Sequence, residues 1–432
     1  MEFRILVLLI VEICAAVGTV IQPFWGLLFL IALTFVRPQD DRPNMAELHF
    51  PLVLTLTLIV ATLARFNFAR ERIWFTIRQL WLFIVFFLWM IASAVANSLT
   101  LESKSQLDET FVVLLVSGLI LIWVNSPGRF KAFLWTLLAC GFYYAQLALR
   151  NPRLMFEQIE DTHFERLSFR HINNFGNPNY LALFMAIVSF LALAMLVFER
   201  RLVFKAALGA LFAGFLYVFL HCQSRGATLA FATGLLVFWS MQKRKLLLGT
   251  AGVLAVLIGL AAFAPATYLE RLQTIGSYQE DASVTGRLQL WRISFGLISA
   301  YPILGVGPQN FQRYAFNSQH NSYLQVASEM GIPALLLYVV MLGSGVRSLR
   351  IARRMSSPQA KDIPYIYTIS SGALAAITAI IVQGFFTGFA LREFVYFLLA
   401  LSYCLRGLAE QATYESPQPQ PVIEAPAVEV PA

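Results

Sequence analysis

The chain has 432 residues, of which 58% are hydrophobic and only 13% charged, with a mean hydropathy of +0.67 and a net charge of +8. Soluble domains carry about 25% charged residues, so a soluble fold is excluded. The cations do not gather into a basic domain interleaved with stacking aromatics, so nucleic acid is excluded as a partner.

Apolar runs near the roughly 20 residues needed to cross a bilayer recur along almost the whole chain. Taken in order, they predict spans near 5 to 21, 23 to 36, 50 to 66, 74 to 97, 110 to 124 and 129 to 149. A second series follows near 178 to 198, 202 to 220, 226 to 241, 246 to 264, 321 to 346, 364 to 384 and 393 to 408. The first two runs meet at Gln22-Pro23 and form either a hairpin or one broken element, which gives about twelve spans. Arg4 ahead of an apolar run imitates a signal peptide, but Glu12 interrupts it and more spans follow. A retained first helix is expected. The fold class is therefore all-α, a polytopic transmembrane bundle over residues 1–408. The tail 409–432, with five prolines and four glutamates, is expected to be a disordered cytoplasmic segment.

Alternate loops differ in their cations. One set holds Arg65, Arg70, Arg72 and Arg78, then Arg129 and Lys131, then Arg200, Arg201 and Lys205, then Lys243, Arg244 and Lys245, and last Arg347 to Lys361. The positive-inside rule places this set in the cytoplasm. The other set, near 37 to 49, 98 to 109, 150 to 177 and 265 to 320, mixes arginine with acids and should face outward. Loops 150–177 and 265–320 are longer than ordinary connections, which marks them as functional. The second is rich in Trp, Tyr and Phe and has a helix-like stretch from Gly286 to Ile298, so it is expected to fold as a helical cap.

No nucleotide-binding, hydrolase or metal-ligand motif is present, and Cys14, Cys140, Cys222 and Cys404 have no ligand spacing. The expectation is a site with no metal and no cofactor. Arg225, in Ser224-Arg225-Gly226-Ala227, opens a span from the outward side. There it either snorkels to lipid phosphates or holds a ligand anion, and small Gly226 and Ala227 favour the ligand. Arg287 follows Thr285, a potential helix cap whose backbone amides would help receive an anion; a merely solvated arginine is the alternative. His320 ends the large loop beside Asn321, with Glu329 further on, and is either structural or a base able to accept a hydroxyl proton near neutral pH. In Asn173 to Tyr180, amides and aromatics suit sugar hydroxyls, and turn and cap chemistry explains them equally well.

The ordered set Phe175-Gly176-Asn177-Pro178-Asn179, Ser224-Arg225-Gly226-Ala227, Gly286-Arg287, Pro302 to Pro308, His320-Asn321 and Glu329-Met330-Gly331 resembles the O-antigen ligase and O-antigen polymerase superfamily over about residues 165 to 345. The opening segment with Arg37-Pro38 also looks like ligase-like members from exopolysaccharide settings. The resemblance implies a metal-independent inverting glycosyltransferase of the GT-C type in the bacterial inner membrane, with its site on the periplasmic side. Its implied partners are an undecaprenyl pyrophosphate-linked glycan donor and a lipid A core or other glycan acceptor. Carried over, Arg225 and Arg287 bind the pyrophosphate and His320 is the base. Arg166, Arg170, Asn177, Asn179, Asn321 and Glu329 are the expected substrate-binding residues. A polymerase or protein O-oligosaccharyltransferase shares the motifs, and a transporter of the same lipid is the rival from another class, with Glu12 the main deep charge for a translocation path.

Overall fold

The computed structural model describes residues 3–37, 50–65, 79–150, 156–158, 165–169, 175–242, 265, 268, 282–356 and 364–415. Among these are thirteen α-helices: α1 (Phe3–Ile21), α2 (Pro23–Val36), α3 (Phe50–Arg65), α4 (Leu80–Ala96), α5 (Leu101–Trp123), α6 (Pro127–Arg150), α7 (Pro178–Phe198), α8 (Leu202–His221), α9 (Arg225–Ser240), α10 (Ala282–Ala300), α11 (Ser322–Met355), α12 (Pro364–Gln383) and α13 (Glu393–Glu415). The chain is a helical polytopic membrane protein. Six helices, α5, α6, α7, α8, α11 and α12, are long and apolar enough to cross a bilayer, with shorter apolar helices beside them.

Most predicted spans coincide with a helix, and the differences have local causes. α5 begins at Leu101, not near 110, because Thr100 caps it by accepting from the Ser103 amide and its polar first turns are helical although not apolar. α13 continues past Ala409 to Glu415, where Ala409 is buried and Arg406 pairs with Glu410 at 2.7 Å, so the segment expected to be disordered opens as helix. The only strands among the described residues are a short pair in the 150–177 loop, β1 (Phe156–Gln158) and β2 (Glu165–Leu167). They are antiparallel, with Glu157 opposite Arg166. The predicted span 246 to 264, Lys243 to Lys245, Arg170 and the tail beyond 415 lie outside the described residues.

α7 and α12 are the centre of the bundle. α7 is apolar on every side and packs on α6, α8, α9 and α12, as expected of a helix surrounded by protein. Small residues allow the close approach: a Cβ at Gly372 of α12 would lie 2.7 Å from the Phe190 carbonyl, and one at Gly234 of α9 would lie 2.8 Å from the Ala375 carbonyl. Residues 282–320 enclose a second, small apolar cluster of Leu290, Leu297, Val306 and Phe311.

α11 is broken. Gly331 has φ 85° and ψ 171°, and Pro333 follows two residues later. A break in apolar surroundings leaves carbonyls that must find other donors. The loop Leu304–Asn310 supplies them: Val306 donates to Ser328 O at 3.0 Å and Gly307 to Glu329 O at 2.8 Å. Trp89 Nε1 of α4 donates to Met330 O at 2.9 Å. In return, the Ile332 amide reaches Pro302 O at 2.8 Å. From α4 and its following turn, Ser93 binds Leu304 O and Asn97 binds Gly305 O, holding the loop from behind. A Cβ at Gly305 would lie 2.3 Å from the Glu329 carbonyl carbon, so the two backbones meet with no room for a side chain.

Candidate active site

Three arginines from distant segments converge in one narrow cleft. Arg225 and Arg287 line it together with Arg166, Asn179, Ser224 and Thr387, and among the described residues no carboxylate lines it. Strand β2 delivers Arg166, which is buried and whose Nε donates to Cys222 O at 2.9 Å. Its Nη2 donates to Asn179 Oδ1 at 3.0 Å, and the same oxygen accepts from Ser224 Oγ at 2.7 Å. Asn179 is thus the joint between the hairpin, the start of α7 and the start of α9.

Ser224 is also the N-cap of α9, accepting from the Ala227 amide, so Arg225 occupies the first helical position at the positive end of the helix. Gln223 before it takes φ 47°, which turns the chain sharply between α8 and α9. Gly226 has a different role from the one its sequence suggests. A Cβ there would lie 2.7 Å from the Phe386 Cβ and 2.9 Å from Gln383 Oε1, so the close approach is to protein.

Arg287 reaches the cleft from α10, and here the expected helix start needs correction. α10 begins at Ala282, which places Thr285 and Arg287 within the helix and not at its cap. Backbone amides at this point are engaged along the helix, so Arg287 brings its guanidinium and not an exposed helix terminus.

His320 is half-buried with φ 49°, immediately before α11. Burial first, and then the positive charge of Arg287, push its pKa down to about 4, so the ring is neutral at physiological pH. The chain leading into His320 is held through the residue before it. Gln319 O accepts from Trp291 Nε1 of α10 at 3.0 Å, and Gln319 Nε2 donates to Glu329 Oε1 at 3.1 Å. The other Glu329 oxygen accepts from the Gln309 amide at 3.0 Å. Glu329 is 2% exposed. It therefore clamps both ends of the loop that carries His320, and it does not line the cleft.

Two expected substrate-binding amides cap helices. Asn177 accepts from the Asn179 amide at the start of α7, and Asn321 accepts from the Tyr323 and Leu324 amides at the start of α11. Phe175 lies in the core among Tyr144 and Phe184, whereas the Tyr180 ring is covered by the Arg392 guanidinium at 5.1 Å. Phe386 and Thr387, in the connection between α12 and α13, were not singled out from sequence although they line the cleft. The signal was Gly384-Phe385-Phe386-Thr387-Gly388, a short aromatic run bracketed by glycines between two spans.

Residues 210–339 match the family described as O-Antigen ligase, which supports placing the chain in the O-antigen ligase and polymerase superfamily, a glycosyltransferase-like enzyme family. The matched stretch contains Arg225, Arg287, His320 and Glu329. No curated protein matches the chain.

Proposed function

Proceeding from an O-antigen ligase domain at residues 210–339, we propose that the protein transfers a glycan from undecaprenyl pyrophosphate to a sugar of the lipid A core on the periplasmic face of the inner membrane. The observation that carries this reading is the convergence of Arg166, Arg225 and Arg287 in a cleft with no carboxylate among its described lining residues. Such a cleft fits a ligand bearing several negative charges held close together, as a pyrophosphate does.

In the proposed reaction the acceptor hydroxyl oxygen attacks the anomeric carbon from the face opposite the pyrophosphate. The carbon–oxygen bond to the leaving group breaks as the new glycosidic bond forms, with inversion. Negative charge grows on the departing pyrophosphate, where fixed guanidiniums stabilise it without a metal. The hydroxyl proton passes to the neutral imidazole of His320, whose ring lies within the electrostatic reach of Arg287. Energy comes from the donor's own phosphoester bond, so no nucleotide is required. Periplasmic placement of the cleft follows from the excess of Lys and Arg in the alternate loops, which puts the start of α9 outward.

The test is transfer by purified protein from undecaprenyl pyrophosphate glycan, in excess EDTA and without ATP. Lipid A core is supplied in one arm and a second lipid-linked repeat in the other. Transfer only to the second arm would make the protein a polymerase. Activity that requires added magnesium would overturn the arginine-based mechanism.

A further inference from the structure

A second cavity, of about 370 Å³, lies beside the arginine cleft. It falls within the roughly 300–1,000 Å³ range of small-molecule sites. The two spaces share a wall. Asn179 and Thr387 line the cleft, while their immediate chain neighbours Tyr180 and Gly388 line the cavity. The wall is fixed to the start of α11, because Ser322 Oγ donates to Thr387 O at 2.8 Å and accepts from the Phe389 amide at 3.0 Å. Gln325, one turn after His320, also lines the cavity. His320 itself lines neither space; it immediately precedes the helix whose first turns carry Ser322 on the wall and Gln325 in the cavity.

The cavity's chemistry differs from that of the cleft. Arg37 and Arg392 stand with Asp108, Glu109 and Glu393, so acids outnumber cations among the described lining residues. Glu393 and Glu109 are both electrostatic neighbours of Arg392, and Glu393 is also a neighbour of Arg37. Each cation thus has at least one acidic neighbour. Two acceptors remain: Glu393 Oε1, on a side chain 4% exposed, and Gln325 Oε1 are buried and make no hydrogen bond among the described residues. Buried polar oxygens without donors are costly and mark a place where a ligand's donors belong. Tyr180 and Phe389 add ring surface. Carboxylate and amide acceptors beside aromatic rings suit the hydroxyls and apolar face of a sugar.

We propose that this cavity seats the glycan acceptor, and that the sugar it takes is neutral or amino-bearing and not phosphorylated. The assignment rests on the glycan-transfer reading above. A phosphate here would meet more carboxylates than guanidiniums, and both guanidiniums already have acidic neighbours, whereas hydroxyl or ammonium donors would satisfy Glu393 and Gln325.

The experiment measures transfer by the full-length protein from undecaprenyl pyrophosphate glycan to a total membrane glycolipid extract, with each substrate titrated in turn. Val112, exposed on α5 at the cavity wall, is changed to Trp to fill the space, and Gln325→Leu removes an acceptor without adding bulk. Gln325→Leu should raise the half-saturating acceptor concentration about tenfold, the loss of one or two hydrogen bonds, Val112→Trp should raise it at least as much by occupying the space, and both should leave that of the donor within about twofold. Extract treated with phosphatase, with the phosphatase removed before donor is added, should serve as well as untreated extract. An unchanged acceptor dependence in both variants, or a shift in the donor instead, would overturn the site. A tenfold loss of acceptor activity after phosphatase would overturn the sugar class. Absence of transfer by the wild type under every condition would instead overturn the transferase reading, and this assignment with it.

Discussion

Gln319 Nε2 and Glu329 Oε1 are joined at 3.1 Å inside the protein, one residue before the histidine at the site. Since the second carboxylate oxygen takes the Gln309 amide, truncating this one side chain removes that amide's side-chain acceptor and leaves Gln319 Nε2 with Ser328 Oγ alone, at 3.2 Å. A donor left without its acceptor inside the protein costs about 1–3 kcal/mol. Glu329→Ala should lower the melting temperature of the detergent-solubilised protein and reduce turnover more than it reduces binding of inorganic pyrophosphate. Glu329→Gln keeps one acceptor oxygen and should recover part of both. Wild-type turnover in Glu329→Ala would show that the clamp does not position the base.

The break in α11 gives a sharper test of stability. At Gly331 a Cβ would lie 1.9 Å from the Ile303 carbonyl oxygen, and φ of 85° with ψ of 171° is a region occupied almost only by glycine. Gly331→Ala should cost roughly 3 kcal/mol or more, read as loss of folded protein on size exclusion. Gly343 in the same helix has nothing within 4 Å of its Cβ position. Gly343→Ala should be neutral or stabilise by about 0.5–1 kcal/mol. Equal behaviour of the two variants would mean that the kink is not a fixed feature.

These two glycines show which parts of the molecule the sequence makes legible. Apolar runs reveal helices because burial in lipid or protein demands a continuous apolar segment, and the ends of α2, α6, α7 and α12 fall within a few residues of expectation. The run over 321 to 346 reads as one span because Gly331 and Pro333 are both tolerated in membrane helices, so only tertiary contacts reveal a break. In the site, Arg225 and Arg287 stand out as charges next to apolar segments. Thr387 and Phe386 carry no charge, and their place in the cleft depends on how α12 meets α9. Glu329 looks like a ligand group from sequence because its partners, Gln309 and Gln319, lie in a loop whose path the sequence does not specify.

The arginines should not be interchangeable with lysines. Arg225 and Arg287 are half-buried in the cleft, where a planar fork can give two bonds to one phosphate and an ammonium acts as a point charge. Arg225→Ala and Arg287→Ala should each abolish transfer and weaken pyrophosphate binding, measured by calorimetry, by about tenfold or more. The lysine variants should restore binding only in part. Arg166 donates to Cys222 O and Asn179 Oδ1, so Arg166→Ala should also lower thermal stability. Full activity in Arg225→Ala would remove that residue from the donor site.

The last prediction concerns pH. The His320 pKa is held down near 4, below the ordinary 6.5, by burial and by Arg287. When the folded protein has the lower pKa, the unfolded chain binds more protons between the two values. Stability from this residue is therefore fully present above about 6.5 and is lost as pH falls toward 4. Activity follows the same group by a different route. In the free enzyme the imidazole stays neutral down to about pH 4, so the acid limb of kcat/KM should lie well below 6.5. A bound pyrophosphate brings negative charge toward Arg287 and offsets its effect, which raises the histidine pKa and makes it a stronger base when it is needed. The acid limb of kcat, which reports the loaded enzyme, should therefore sit at higher pH than that of kcat/KM. Arg287→Lys, which keeps the charge, should preserve the separation of the two limbs, and His320→Ala should abolish turnover while pyrophosphate binding persists. Coincident limbs near 6.5 in the wild type would mean that His320 does not feel the donor's charge, and normal turnover in His320→Ala would show that another group takes the proton.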